Sequence, residues 1–214
     1  MSIYRWILLT GFCIFNISTL FHLIQIIRRA NIDDLSIGKG PILPAVAYSL
    51  TGALSPLKKE TAYLHLPTYI SGILYHLGTF LAFLWLIFHF FNLTLWMTFN
   101  LISFYFLIIT SLCGVTILIK RIFNPKLRHI STPDDYFSNL LTTGFQILSV
   151  FALIHDSFLP STFIYAGILF LYIPVGKLKH VIYFFISRLY LGLFYGKRGV
   201  WPPKRQTLWE TRNL

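Results

Sequence analysis

Two histidines carry the chemistry this chain could do. His76 sits in Leu74-Tyr75-His76-Leu77-Gly78, and His180 closes Pro174-Val175-Gly176-Lys177-Leu178-Lys179-His180. Both lie in or at the end of strongly apolar stretches. A histidine at membrane depth is costly and marks a functional site by default. Two imidazoles on different membrane helices can hold one heme iron between them, which is the chemistry of an electron carrier. The alternative for each is a hydrogen bond to a carbonyl or serine on a neighbouring helix. Lys177 stands one turn before His180 on the same helix face. Its ammonium could pair with a heme propionate at the membrane edge, or snorkel to the headgroups.

The remaining histidines leave several roles open. His65 precedes His76 by 11 residues, about 20° from a whole number of turns, so the two share a face on a continuous helix. His65 could be a second ligand, a proton acceptor for quinol or an interfacial histidine. His22 lies near the end of the first apolar run with the same ambiguity. His89 and His155 fall near the opposite surface, as exposed polar ends or as ligands of a second heme, and His129 is in a basic loop. Cys13 and Cys113 are in apolar segments without a CxxC or CxxCH motif. Covalent heme and cysteine-held clusters are therefore not expected.

The elements that must position these residues are membrane spans. The chain is 56% hydrophobic and only 12% charged, against about 25% charged in soluble domains. Five apolar runs approach the ~20 residues a bilayer demands. They are residues 3–27, 67–91, 95–119, 136–154 and 162–186. The net charge of +11 comes from short segments between the runs, not from a nucleic-acid-binding domain. Arg28, Arg29, Lys39, Lys58 and Lys59 follow the first run; Lys120, Arg121, Lys126 and Arg128 follow the third; Lys197, Arg198, Lys204 and Arg205 follow the fifth. The links 92–94 and 155–161 carry no Lys or Arg. The positive-inside rule then puts the N-terminus outside and the C-terminus in the cytoplasm. Trp6 and Trp96 suit an outer aromatic belt, and Trp201 the inner side.

The expected fold is thus an all-α membrane protein, a five-transmembrane-helix bundle. Residues 1–200 form one membrane domain, with a cytoplasmic tail over 201–214. The first run, too long and aromatic for a signal peptide, should persist as a helix. Thr132-Pro133-Asp134-Asp135 reads as a helix start, with a capping hydroxyl, proline in the first turn and acids at the positive end of the dipole. Residues 33–55, rich in Gly, Pro and Ser, read as an ordered loop. Ser55-Pro56 with Lys58-Lys59-Glu60 reads as the start of a short helix, and Pro67 as a kink or restart. No inverted repeat points to a transporter. The seven acids lie outside the expected spans, and no HExxH, GxSxG or GxxxxGK[ST] motif occurs, so a membrane hydrolase lacks its groups.

Three motifs resemble the gamma-subunit family of respiratory nitrate reductase, with the related membrane cytochromes b of heterodisulfide-reductase-like and sulfite-reductase-associated complexes. Leu74-Tyr75-His76-Leu77-Gly78 resembles the ligand motif of the second helix. Leu118–Arg128, with Asp134-Asp135-Tyr136 after it, resembles the basic loop between helices three and four. Pro174-x-x-Lys177-x-x-His180 resembles the fifth-helix motif. The likeness covers about residues 60–200. It implies His76 and His180 as axial ligands of one heme b near the cytoplasm. The family's second pair of ligands corresponds to Leu86 and Thr162, so a single heme is expected.

The function this implies is that of a heme b subunit of a respiratory redox complex in the cytoplasmic (inner) membrane. It would pass electrons between menaquinol or ubiquinol and a cytoplasmic iron–sulfur partner, with further membrane subunits alongside. Without an outer heme, the quinol site belongs in the inner half, at His65, Lys59 and Glu60, where an acid and a histidine could take the protons of quinol oxidation. The alternative is a membrane anchor for a redox complex, without quinol turnover of its own.

Overall fold

Thr132-Pro133-Asp134-Asp135 starts a helix, as its residue types require. Asp135 turns back and accepts from the Thr132 backbone N–H at 2.8 Å and from its hydroxyl at 3.0 Å. Pro67 likewise stands in the first turn of its helix, where a missing N–H costs nothing. Local signals of this kind bound most of the elements. The computed structural model describes residues 2–29, 37–55 and 62–203. Lys58, Lys59, Glu60 and the short helix expected there lie outside the described residues.

The α-helices are α1 (Ile3–Arg29), α2 (Ile42–Leu50), α3 (Leu66–Phe90), α4 (Met97–Phe123), α5 (Pro125–Ile130), α6 (Pro133–Ile154), α7 (Leu159–Tyr172) and α8 (His180–Lys197). No strand occurs among the described residues. Helices α1, α3, α4 and α6 are long and apolar enough to cross a bilayer, and they match the first four expected spans. Large apolar side chains stand exposed along them, among them Ile17, Leu20 and Phe21 on α1 and Ile102 and Leu112 on α4. Soluble monomers rarely show such continuous apolar surface. The helices indicate a multi-pass membrane protein of four spans, or five if α7 and α8 together make one.

The fifth expected span is broken rather than continuous. α7 stops at Tyr172, a 3-10 turn runs over Lys177–Lys179, and α8 begins at His180. Pro174 has no N–H to continue the ladder. The N–H groups of Val175 and Gly176 instead both donate to the Tyr172 carbonyl, at 3.1 and 2.9 Å. The turn passes so close to the Tyr172 ring that a Cβ on Gly176 would sit 2.4 Å from it.

The chain packs as two compact units, one of Met1–Ile26 and His65–Lys179, the other of Ile27–Leu64 and His180–Leu214. In the first, α3, α4 and α6 pack pairwise and α7 packs on α6. The core includes Leu8, Leu86, Leu107, Phe145, Phe163 and Leu169. A polar knot lies among the three central helices. Gln146, fully buried, donates to the Tyr75 carbonyl at 3.0 Å and to the Thr79 hydroxyl at 2.8 Å, and accepts from the Thr110 hydroxyl at 2.8 Å. Every hydrogen-bonding arm of the amide but one lone pair is thus used within the helices it joins, as a buried amide needs.

In the second unit the loop expected over 33–55 contains α2, which packs along α8. Small residues at helical spacing explain it. Ala45 and Ser49 on α2 are fully buried, and Gly192 and Gly196 on α8 are buried. A Cβ on Gly192 would lie 2.6 Å from the Val46 Cα, and one on Gly196 2.6 Å from the Ala45 Cβ. Such residues let two helix backbones approach closely. Ser49 then donates across the contact to the Arg188 carbonyl at 2.7 Å, and the Lys39 N–H to the Lys197 carbonyl at 2.9 Å.

Candidate functional site

The residues on either side of His76 fix how it is presented. α3 buries Tyr75, Gly78, Ala82, Trp85 and Leu86. The Tyr75 hydroxyl donates to the Asn139 carbonyl at 3.1 Å and shares a bond with the Thr143 hydroxyl at 3.0 Å, both on α6. Gly78 lies against α4, where a Cβ would fall 2.0 Å from the Thr110 hydroxyl. Those two contacts set the rotation of α3. His76, 100° on from Tyr75, is therefore turned out on the flank of the helix and is exposed. Its neighbours Ile73, Leu77 and Phe80 are exposed too. One turn before it, a Cβ on Gly72 would meet nothing within 4 Å.

Lys177 belongs to a charged clamp. Its Nζ lies 2.6 Å from Asp135 Oδ2, and Arg121 Nη1 lies 3.1 Å from the other carboxylate oxygen. Arg121 also donates to the Ser131 hydroxyl at 3.1 Å. The neighbouring Asp134 accepts from the Lys177 backbone N–H at 2.8 Å and from the Tyr172 hydroxyl. One pair of acids at the start of α6 thus holds the end of α4 and the turn after α7 together. The sequence shows these acids as a helix start; their second role becomes visible only when the basic segment and the Lys177 turn meet in space.

His76 belongs to the first unit and His180 to the second. His180 is exposed and is the first residue of α8. His65 is exposed and closes the 3-10 turn Ala62–His65 just before Leu66. Its backbone is non-helical (φ −128°, ψ 37°), so the α-helix that would give it a common face with His76 starts one residue later. Lys59 and Glu60 lie outside the described residues. His89 bonds within its own helix, through Nδ1 to the Trp85 carbonyl at 3.1 Å, with its ring 3.9 Å from the Trp85 ring. His155 accepts from the Ser157 N–H at 3.2 Å and caps a short turn. His22 is half-buried on α1 and His129 exposed on α5.

Leu86 and Thr162, which stand where the resembling family has its second ligand pair, are both in the core. The Thr162 hydroxyl is shared between the carbonyls of Phe158 at 2.9 Å and Leu148 at 3.2 Å. Among the described residues no group of three or more His, Cys, Asp or Glu could hold a metal ion; a bis-imidazole iron asks for two. No family model, curated protein or solved structure matches the chain. The likeness to the membrane cytochromes b therefore stands on the three motifs alone.

Proposed function

We propose that the protein is a heme b membrane subunit of a respiratory redox complex, passing electrons between the membrane quinol pool and a cytoplasmic iron–sulfur partner. One observation carries the reading. His76 is held out on the flank of a membrane-length helix by Tyr75 and Gly78, with open space over Gly72 one turn before it. An imidazole on an apolar membrane face marks a functional site by default, and axial ligation is the role this reading gives it.

The residues present fit the group in kind. His76 and His180 would give the iron its two imidazoles, and the bound heme would supply one-electron transfer, whose potential the surrounding protein tunes. Lys177, whose Nζ also holds Asp135, is the cation this reading sets against a propionate. A single heme is supported by Leu86 and Thr162, which are packed into the core and carry no nitrogen ligand. His65, with Lys59 and Glu60 just upstream, would take the protons of menaquinol or ubiquinol. The cations Lys126, Arg128 and Arg198 would steer an acidic partner, in the cytoplasmic membrane with the N-terminus outside.

The clamp of Lys177, Asp135 and Arg121 favours a second reading, a membrane anchor without quinol turnover, because it explains the lysine without a cofactor. A pyridine hemochrome assay with dithionite-reduced spectra separates the two. The wild-type chain should hold one heme b, and His76→Ala and His180→Ala should each lose it while keeping their helical content. Folded, partner-bound protein without heme would leave the anchor.

A further inference from the structure

A second feature of the first unit is unrelated to the histidines. A cavity of about 410 Å³ opens between α1, α3 and α7, lined wholly by apolar side chains that include Leu8, Leu9, Phe12, Phe83, Ile87 and Phe170. That volume falls in the range of about 300–1,000 Å³ typical of small-molecule sites. At one end stands Arg5. It lies one turn before Leu8 and Leu9, on their face of α1. It donates through Nη2 to the side chain of Asn92, and Asn92 follows Phe91, which also lines the cavity. The Arg5–Asn92 bond therefore bridges α1 and the turn after α3 next to the Phe91 end of the cavity.

Among the described residues Arg5 has no counter-charge. It is the only Lys or Arg before Arg28, and the links 92–94 and 155–161 contain none. The Arg5 Nε is buried without a hydrogen-bond partner. A guanidinium has five N–H donors arranged to meet a phosphate.

We infer that this cavity and Arg5 form a phospholipid site, with an acyl chain between α1, α3 and α7 and the headgroup phosphate on the Arg5 guanidinium. An acyl chain asks nothing polar of its surroundings, and the lining offers nothing polar. A quinone head seated within the cavity would need donors for its carbonyls, and the nine lining side chains have none. The cation beside the Phe91 end completes the match to a lipid phosphate.

The test uses the full-length chain, delipidated in detergent and titrated with phosphatidylglycerol under native mass spectrometry. Diacylglycerol and inorganic phosphate are the controls that lack the phosphate and the acyl chains. One phosphatidylglycerol should bind ahead of all others. Arg5→Gln should weaken it about fivefold, the size of effect expected of one cation at a lipid surface, and Arg5→Lys should largely restore it. Leu9→Trp, which fills the cavity and leaves Arg5 in place, should abolish the preferred binding. Diacylglycerol should bind more weakly, and phosphate should not compete. Equal binding to every variant would reduce the lipid to an ordinary annulus and overturn the proposal. Competition by free phosphate, or displacement by a quinone at lower concentration, would overturn it too. Each outcome is independent of whether heme binds.

Discussion

At the residue scale, buried polar side chains bear more on stability than their number suggests. Gln146 joins α6 to α3 and α4 through three hydrogen bonds. Interhelical bonds in membranes average about 0.6 kcal/mol each, so Gln146→Leu should cost about 2 kcal/mol. Thr116, whose hydroxyl bonds only the Leu112 carbonyl of its own helix, is the control. Unfolding of the two variants in detergent should differ by that amount, and equal stability of Gln146→Leu and Thr116→Val would refute the role. Lys177 and Asp135 call for a different measurement, because Lys177 is 47% exposed and exposed pairs contribute only about 0.2–1 kcal/mol. A double-mutant cycle of Lys177→Gln and Asp135→Asn should return coupling within that range. A larger effect of Lys177→Gln on the heme potential than on stability would mark a propionate partner; a stability effect alone would leave a clamp. His76, Lys177 and His180 were singled out in the sequence by type and spacing. The second duty of Asp135 was not, because it depends on two segments more than 40 residues apart meeting in space.

At the element scale, the four long spans were legible because length and apolarity alone define them. The two misread elements fail for opposite reasons. The expected loop holding α2 contains Pro41, Pro44 and Gly40, which read as turn residues. Yet Pro41 stands at the helix N-cap, where proline does no harm, and the small residues behind it are a packing surface that shows only beside Gly192 and Gly196. The expected fifth helix reads as continuous because residues 162–186 stay apolar through Pro174, and composition does not register a break that backbone bonds create. The α2–α8 contact is open to test. Gly196→Leu would push a side chain into the space held by the Ala45 Cβ and should part the two helices, exposing the chain around Leu50 to protease at least several-fold faster than in wild type. Lys39→Ala changes no backbone donor at the same contact and should leave the cutting rate unchanged. Equal cutting of Gly196→Leu and wild type would show that close approach is not what holds α2.

At the scale of the whole molecule, the broken span decides on which side of the membrane the chain ends. α7 has 14 residues, about 21 Å of helix, short of the ~30 Å hydrocarbon core. Alone it does not cross. With the turn and α8 it has length enough, and the alternative is a re-entrant pair that returns to the side it left. Charge separates the two. Lys177, Lys179, Arg188, Lys197 and Arg198 all follow α7, whereas residues 155–161 before it hold no cation. Returning the end of α8, with Lys197 and Arg198, to the far side opposes the positive-inside rule, so a full crossing is the outcome the sequence favours. It would put the chain after Trp201 on the same face as the basic segment Lys120–Arg128, and opposite the link 92–94. Reporter fusions that are active on only one side of the membrane, placed after Pro203, within residues 92–94 and after Lys126, read this directly. The fusions after Pro203 and Lys126 should report the cytoplasm, and the one at 92–94 the far side. A far-side signal after Pro203 would make α7 and α8 a re-entrant pair. It would also return α8 and the chain after it toward the far side, leaving only the turn before His180 near the face on which a cytoplasmic partner could collect an electron, so the same measurement bears on the redox reading through topology alone.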